Sequence, residues 1–478
     1  MLKNSVSKLL MAILVFTLIL SNGFFGGIST YANEEIKKPK YVFYFIGDGL
    51  GASQRQAAEF YLQELNLNKE KLFINSMDIA GINTTYSKDS LVTDSAAAGT
   101  ALATGYKTNN GMISVLPDGK KLKTLIEEAK QNNMATGIIS TTRLTHATPA
   151  VFVSHNISRN NENEIAKEMA EFRVDFLAGG GYRHFVTADY KGLKSKRTDE
   201  NNLVEFLKKN DYNVFLAENS TKDFIEFNPS KEEKVFAVFT YSHLPYEVDR
   251  RNNNETPSLS KITKKGIEVL EQYDDGFFMM IEAGRIDHAG HANDAKGTIM
   301  DVIEFDNSVK QAYEFYKNHK DETLIVVVGD HETGGMGLGF GKNYFLDMAK
   351  LQDVKVSVED KLQGKYNGNK DEYKMYIKNN LGIDNLTKKE EANLNRAMNI
   401  VDNKLEEDKN LYGGYDPVAI ETTHIISKRA NIEWTTYAHT GTSIPMSAIG
   451  VGSQKFSGYK DNTQIAKTMA ELLNFDLN

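Results

Sequence analysis

Short runs dominated by β-branched and aromatic residues punctuate the chain at residues 41–46, 135–140, 175–178, 235–239, 277–281, 324–328 and 446–451. Near-continuous apolarity over so few residues, without alternation, is what a strand buried on both faces requires. Between these runs the period changes. Over residues 120–132, 261–273, 298–316 and 463–473 apolar positions recur every three or four residues, which predicts helices packed along one face. Strands alternating with such helices predict an α/β fold with a largely parallel central sheet flanked by helices on both faces. Ligands of such sheets bind beyond the carboxyl ends of the strands, so chemistry is sought there. Residues 341–433 break the rhythm, being rich in Asn, Lys, Asp and Glu, with a helical pattern over 388–405 and no evident buried strand. They are expected to form an inserted subdomain, and residues 218–233 and 317–323 read as solvated surface.

The amino terminus follows another pattern. Lys3 and Lys8 precede an apolar run at 9–20, shorter than the roughly 20 residues of a bilayer span, and polar and glycine residues then lead to a small residue at Ala32. This predicts a secretory signal peptide over 1–32. The alternative is an uncleaved anchor, if the apolar character is stretched through Phe24 and Phe25 to Ile28. Residues 33–478 are then expected to work outside the cytoplasm, secreted, periplasmic or associated with the cell wall, with no transmembrane span in the mature chain.

Composition narrows the chemistry. With 478 residues, 41% hydrophobic and 25% charged, the chain is globular, and disordered, collagen-like and coiled-coil classes are excluded. Its 56 basic against 64 acidic residues give a net charge of −8 with no dense basic run, which argues against nucleic acid as a specific partner. There is no cysteine, so disulfides, thiolate metal sites, iron–sulfur clusters, a cysteine nucleophile and a lipoprotein anchor are all ruled out. Any metal must sit on Asp, Glu, His and hydroxyl oxygens.

Carboxylates gather where the sheet rule asks for them. The first run ends in Gly47-Asp48-Gly49, the fifth in Glu282 and the sixth in Gly329-Asp330-His331. A single such Asp is most often a turn former or a helix cap. Three strand ends each delivering a carboxylate point instead to a metal site. Asp287 and His291, four apart, face the same side of a helical turn and suit a divalent ion, with an exposed ion pair as the bland alternative. Half of the histidines, at 146, 288, 291, 331 and 439, lie in these or similar stretches. A second signal is Thr93-Asp94-Ser95 opening a run of small residues through Ala101. Ser95 there would sit at the positive end of a helix dipole, or the pair Asp94 and Ser95 would merely cap the helix. No convincing histidine base for a triad accompanies it, so metal activation of the hydroxyl is the remaining route to a nucleophile.

Taken together, Asp48 in FIGDG, Asp94-Ser95 in TDSAAAGTA, Thr148 in HATP, Arg159 in SRN, Glu282, Asp287 and His291 in EAGRIDHAGH, Asp330-His331 in GDHETGG and His439 in HTG resemble the alkaline phosphatase family, in the family's order. The resemblance runs from about Tyr41 to Phe475. It implies a phosphomonoester hydrolase, a likeness to homodimers, and an insert resembling a crown or long loop whose return carries Trp434. It implies that Asp287, His291 and His439 hold one zinc ion, and that Asp48, Asp330 and His331 hold a second, with Ser95 as ligand and nucleophile. Glu282, Thr148 and Asp48 would hold a third ion, magnesium. Arg159 would grip two phosphate oxygens, held in turn by Asp94, and a phosphoserine would be the intermediate.

At His146 and His288 the chain resembles a branch of the family with two histidines, where its best-known bacterial members carry Asp and Lys. An imidazole brings no negative charge to the third ion, so His146 is expected to orient a water or the phosphate, together with His288. The competing readings are a phosphodiesterase, sulfatase or phosphomutase of the same superfamily, or a non-catalytic phosphate-binding surface protein. Against a sulfatase, Gly99 stands four positions after Ser95, where that class has arginine.

Overall fold

The computed structural model describes residues 37–65 and 71–478, so the signal-peptide reading of 1–32 lies outside the described residues. Ten strands form one sheet: β1 (Tyr41–Gly47), β2 (Ile79–Asn83), β3 (Ala135–Arg143), β4 (Phe176–Gly180), β5 (Tyr212–Leu216), β6 (Lys234–Val238), β7 (Phe277–Ala283), β8 (Thr323–Gly329), β13 (Ile444–Gly450) and β14 (Gly458–Lys460). Four two-residue strands, β9 (Glu332–Thr333), β10 (Gly337–Leu338), β11 (Ile432–Glu433) and β12 (His439–Thr440), pair outside it. The spatial order is β14-β2-β13-β8-β1-β7-β3-β4-β6-β5. Only β13 runs against its neighbours, so the sheet is largely parallel.

Each of the seven apolar runs is a strand of this sheet. Their lack of alternation has the expected cause, because successive side chains enter two different cores. Phe43, Phe45, Phe277, Met279, Ile281, Ile325 and Val327 lie in one, covered by helices Leu259–Leu270 and Ala295–Asn318. Val42, Tyr44, Ile46, Phe278, Met280, Val326 and Val328 lie in the other, under helices Ser95–Thr104, Leu125–Gln131 and Asn462–Leu473.

Several expectations need correction. Residues 120–124 are not helical: Lys121 bridges to Val115, and Thr124 closes a reciprocal capping box with Glu127 that starts the helix at Leu125. Strands β2, β5 and β14 lacked a sequence signal because they are short and only partly buried. Residues 218–233 are not all solvated surface, since Phe224 is fully buried against Phe215 and Phe239, and Thr323 is a buried residue of β8. Within 341–433 there is a strand after all, β11, which pairs with β10. The buried side chains of this stretch, among them Tyr373, Ile377, Leu394 and Met398, join the first core rather than forming a separate one.

Phe43 is a fully buried anchor of that core, with ring centroids 5.1 Å from Phe277 and 5.6 Å from Phe315, both edge-on. Phe43→Ala should therefore cost about 3–5 kcal/mol of stability. A drop in melting temperature in calorimetry checks this, and a thermogram unchanged from wild type would show that the two ring contacts contribute nothing.

Candidate active site

The strand register sets the site. Gly47 of β1 stands level with Gly329 of β8 and Ala283 of β7, and Ser140 of β3 stands level with Glu282. Four adjacent strands thus end together, and Asp48, Glu282 and Asp330 emerge side by side, all fully buried. The turn after β1 is tight: Gly49 has φ +75°, and a Cβ there would come within 2.7 Å of the Asp287 backbone. Its N–H donates to Asp330 Oδ1 at 3.1 Å.

One group of donors is formed by Asp287, His291 and His439. His291 Nδ1 lies 2.7 Å from the Tyr437 carbonyl, and His439 Nδ1 lies 2.8 Å from the Thr93 carbonyl. A carbonyl only accepts, so each ring carries a proton on Nδ1, which leaves Nε2 as the nitrogen that can ligate a cation. These Nε2 atoms are 3.1 Å apart, and each is 3.4 Å from Asp287 Oδ1. Thr333 Oγ1 donates to the same oxygen at 2.5 Å.

A second group is Asp48, Asp287 and His331. His331 Nε2 is 3.4 Å from Asp48 Oδ1, 3.3 Å from Asp330 Oδ2 and 3.2 Å from Ser95 Oγ. The His331 and His439 rings stack at 3.6 Å, placing the two groups side by side. Ser95 is the first residue of a wholly buried helix of small residues. It is not the cap: Asp94 Oδ1 accepts from the Ala97 N–H at 2.9 Å, which leaves the serine hydroxyl directed at His331. The other Asp94 oxygen accepts from Arg159 Nη1 at 2.9 Å.

The third group is Asp48, His146 and Glu282. Thr148 Oγ1 lies 3.4 Å from Asp48 Oδ2, and His146 Nδ1 lies 4.0 Å from it. Glu282 Oε2 accepts from Ser140 Oγ and from Thr142 Oγ1. His146 Nε2 receives Arg159 Nη2 at 3.1 Å, and the His146 and His288 rings meet edge-on at 5.5 Å.

All thirteen residues singled out from the sequence thus come to one place. Ser140, Thr142, Thr333 and His243 were not singled out. Thr333 lies inside the GDHETGG stretch already marked by its motif, whereas His243 stands in the loop beyond β6 with no local signal.

Burial and then mutual repulsion raise the acids: Asp48 lies well above the usual carboxylate range, and Glu282 and Asp330 are each pushed up to about 7. Burial would lift Asp287 too, but His291 and His439 outweigh it and hold this carboxyl low, while His291 is pushed up to about 9. Burial keeps His331 and His146 neutral. Asp48 Oδ1, Glu282 Oε1, Asp330 Oδ2 and His146 Nδ1 are buried with no hydrogen-bond partner among the described residues. Clustered oxygen and imidazole donors left without partners in an anionic cleft fit divalent cations.

A family model described as alkaline phosphatase matches residues 39–475. The chain belongs to the alkaline phosphatase family. It is 32% identical to alkaline phosphatase 3 of Bacillus subtilis over 99% of both chains. The alkaline phosphatase of Thermus thermophilus superposes with a TM-score of 0.80 at 29% identity, covering 92% of each chain. That of the Antarctic bacterium TAB5 gives 0.66 at 26% identity over 92% of this chain and all of that one, and a histidine-to-aspartate variant of it has magnesium bound in its M3 site. This alkaline phosphatase is accordingly a metal-dependent phosphomonoester hydrolase. No described helix is long and apolar enough to cross a membrane.

In the metal-free alkaline phosphatase the raised carboxyls have a signed consequence. Glu282 and Asp330 keep protons to about 7 in the fold, whereas in an unfolded chain they lose them near about 4. The stability this supplies is lost as pH rises through 7, and His291, protonated to about 9, acts in the same sense. The buried neutral histidines act oppositely, but their contribution is complete by about pH 7. The melting temperature of chelator-treated protein should therefore fall from pH 7 to 8, and added divalent cations that bind these carboxylates should raise it and remove the slope. A flat melting temperature in the stripped protein would show that these carboxyls are ionised throughout.

Proposed function

We propose that this alkaline phosphatase hydrolyses phosphomonoesters outside the cytoplasm, using two zinc ions and one magnesium ion, through a phosphoserine on Ser95. The observation that carries the reading is the Ser95 hydroxyl, 3.2 Å from His331 Nε2 and released from capping by Asp94. Asp287, His291 and His439 would hold one zinc. Asp48, Asp330, His331 and Ser95 would hold the other, and Glu282, Thr148 and Asp48 the magnesium. Bound there, the ions would lower the pKa of the serine hydroxyl and offset the charge of the phosphoryl group.

The residues themselves have distinct tasks. Arg159, held on one side by Asp94 and on the other by His146, presents a planar fork to two phosphoryl oxygens. Ser95 Oγ attacks phosphorus, the ester P–O bond breaks, and the alcohol departs with a proton. Water then attacks the phosphoserine from the opposite side, freeing inorganic phosphate and restoring the serine. His146 and His288 orient the phosphate or a water. The extracytoplasmic site of action rests on the residue pattern of 1–32. The catalytic unit over 33–478, the crown-like insert over 341–433 and a homodimer belong to the same proposal and rest on the resemblance to the family.

Ser95→Ala should abolish nearly all turnover while leaving metal content and melting temperature in place. Acid-quenched reactions of the wild type with labelled substrate should carry the label on Ser95. No label under any condition, or a variant with near-normal rate, rejects the nucleophile.

The third ion gives a separate test. His146→Asp adds a negative charge beside Asp48 and Glu282, so magnesium should bind more tightly and product release should slow. The magnesium-bound histidine-to-aspartate variant of the TAB5 enzyme supports this direction. Titration of magnesium into metal-depleted wild type and variant measures it, and equal affinities with unchanged rate make His146 a bystander.

A further inference from the structure

We propose that His243 is a positioning residue for the phosphate side of the centre, acting through ring contact with His288 and His146 rather than through its own nitrogens. Its ring centroid lies 4.4 Å from that of His288 at 79° and 6.0 Å from that of His146 at 78°. With the 82° contact between His146 and His288, the three imidazoles form a mutually edge-to-face trio. Each is tied from outside by a different arginine: His146 Nε2 by Arg159 at 3.1 Å, His288 Nδ1 by Arg285 at 3.0 Å, and His243 Nε2 by Arg143.

Both His243 nitrogens face donors of Arg143, the guanidinium at Nε2 and the backbone N–H at Nδ1 at 3.3 Å; a neutral ring accepts from only one of them, and in either tautomer its polar edge is turned to Arg143. What it offers the site is its ring. That ring is braced from behind. Arg143 Nε donates to Glu162 Oε2 at 2.8 Å, and Glu162 also accepts from Thr145 Oγ1 at 2.6 Å and lies 3.1 Å from His184 Nε2. The consequence reaches the phosphate grip through His146, which fixes one arm of the Arg159 fork. It does not reach the donors Asp287, His291 and His439, which are held separately by Thr333 and by the Tyr437 and Thr93 carbonyls. The inference rests on the reading of Arg159 as the phosphate-binding fork.

The test compares His243→Ala, His243→Asn and His243→Phe by KM for a chromogenic phosphomonoester, by inhibition by inorganic phosphate, and by metal content. Phe keeps a ring without nitrogens, whereas Asn keeps a polar partner for Arg143 without a ring. Ala and Asn should raise KM and the phosphate inhibition constant about 3- to 10-fold, the size an edge-to-face contact supports, with kcat less affected and metal content unchanged. Phe should recover most of the loss. Should the alanine variant melt early, the Phe and Asn pair decides, since both refill the space. Recovery by Asn and not Phe overturns the proposal, as do constants within twofold of wild type in Ala and Asn, or loss of metal in all three. Arg159→Ala reports separately on the underlying reading: if phosphate inhibition is unchanged there, that reading fails and takes the His243 proposal with it.

Discussion

Asp48, Glu282, Asp287 and Asp330 are brought into one buried cleft by the common ending of β8, β1 and β7 and by the helix that follows β7. Charges so close in a medium of low polarity repel strongly, and the fold supplies few cations of its own against them. Arg159 bonds Asp94 and His146, and Arg285 bonds Glu359 and Asp360, so neither guanidinium is hydrogen-bonded to one of the four carboxyls. Protons or metal ions must therefore complete the centre. The raised pKa values of Asp48, Glu282 and Asp330 express the proton solution to the same problem that divalent ions solve in a metal-dependent enzyme.

That constraint explains why so many neutral groups around the cleft are donors. Thr333 donates to Asp287, Ser140 and Thr142 to Glu282, and the Gly49 and His331 amides to Asp330. Each hydrogen bond uses one carboxylate oxygen and fixes the direction of the other. Carbonyls of Tyr437 and Thr93 do the same for the rings of His291 and His439 by taking the Nδ1 protons. The fold thus fixes the direction of each donor from outside the centre.

How much of this could be read from the residues follows from how local each feature is. Buried central strands announce themselves because both faces are covered, and β1, β3, β7 and β8 are apolar from end to end. Edge strands do not: β14 has three residues, mostly exposed. The site was legible through strand-end carboxylates and through ordered motifs that resemble the family. The supporting threonines and serines were not, because a hydroxyl has no signature until the partner across the sheet is known: Ser140 and Glu282 are 142 residues apart. His243 escaped for a similar reason, since its neighbours His146 and His288 come from other elements and only the three-dimensional arrangement makes a trio of them.

The stretch between β8 and β12 shows how a centre tolerates a long excursion of the chain. Asp330-His331 and His439 must meet, yet residues 341–433 intervene. The two-residue strands β9 and β12 close the gap, with Thr333 opposite His439 and Glu332 opposite Thr440. Glu332, nearly fully buried, accepts from Gln54 Nε2 at 2.6 Å, from Thr440 Oγ1 at 2.5 Å and from the Gly335 and Met336 amides at 3.2 Å, pinning three segments with one carboxylate. Gly334, at φ +88°, lets the Trp434 ring lie where a Cβ would come within 2.6 Å, sealing the return of the excursion against its departure. Glu332, Thr440, Gly334 and Trp434 keep the two ends together, while the residues between add buried side chains to the first core and hold Arg285 through Glu359 and Asp360.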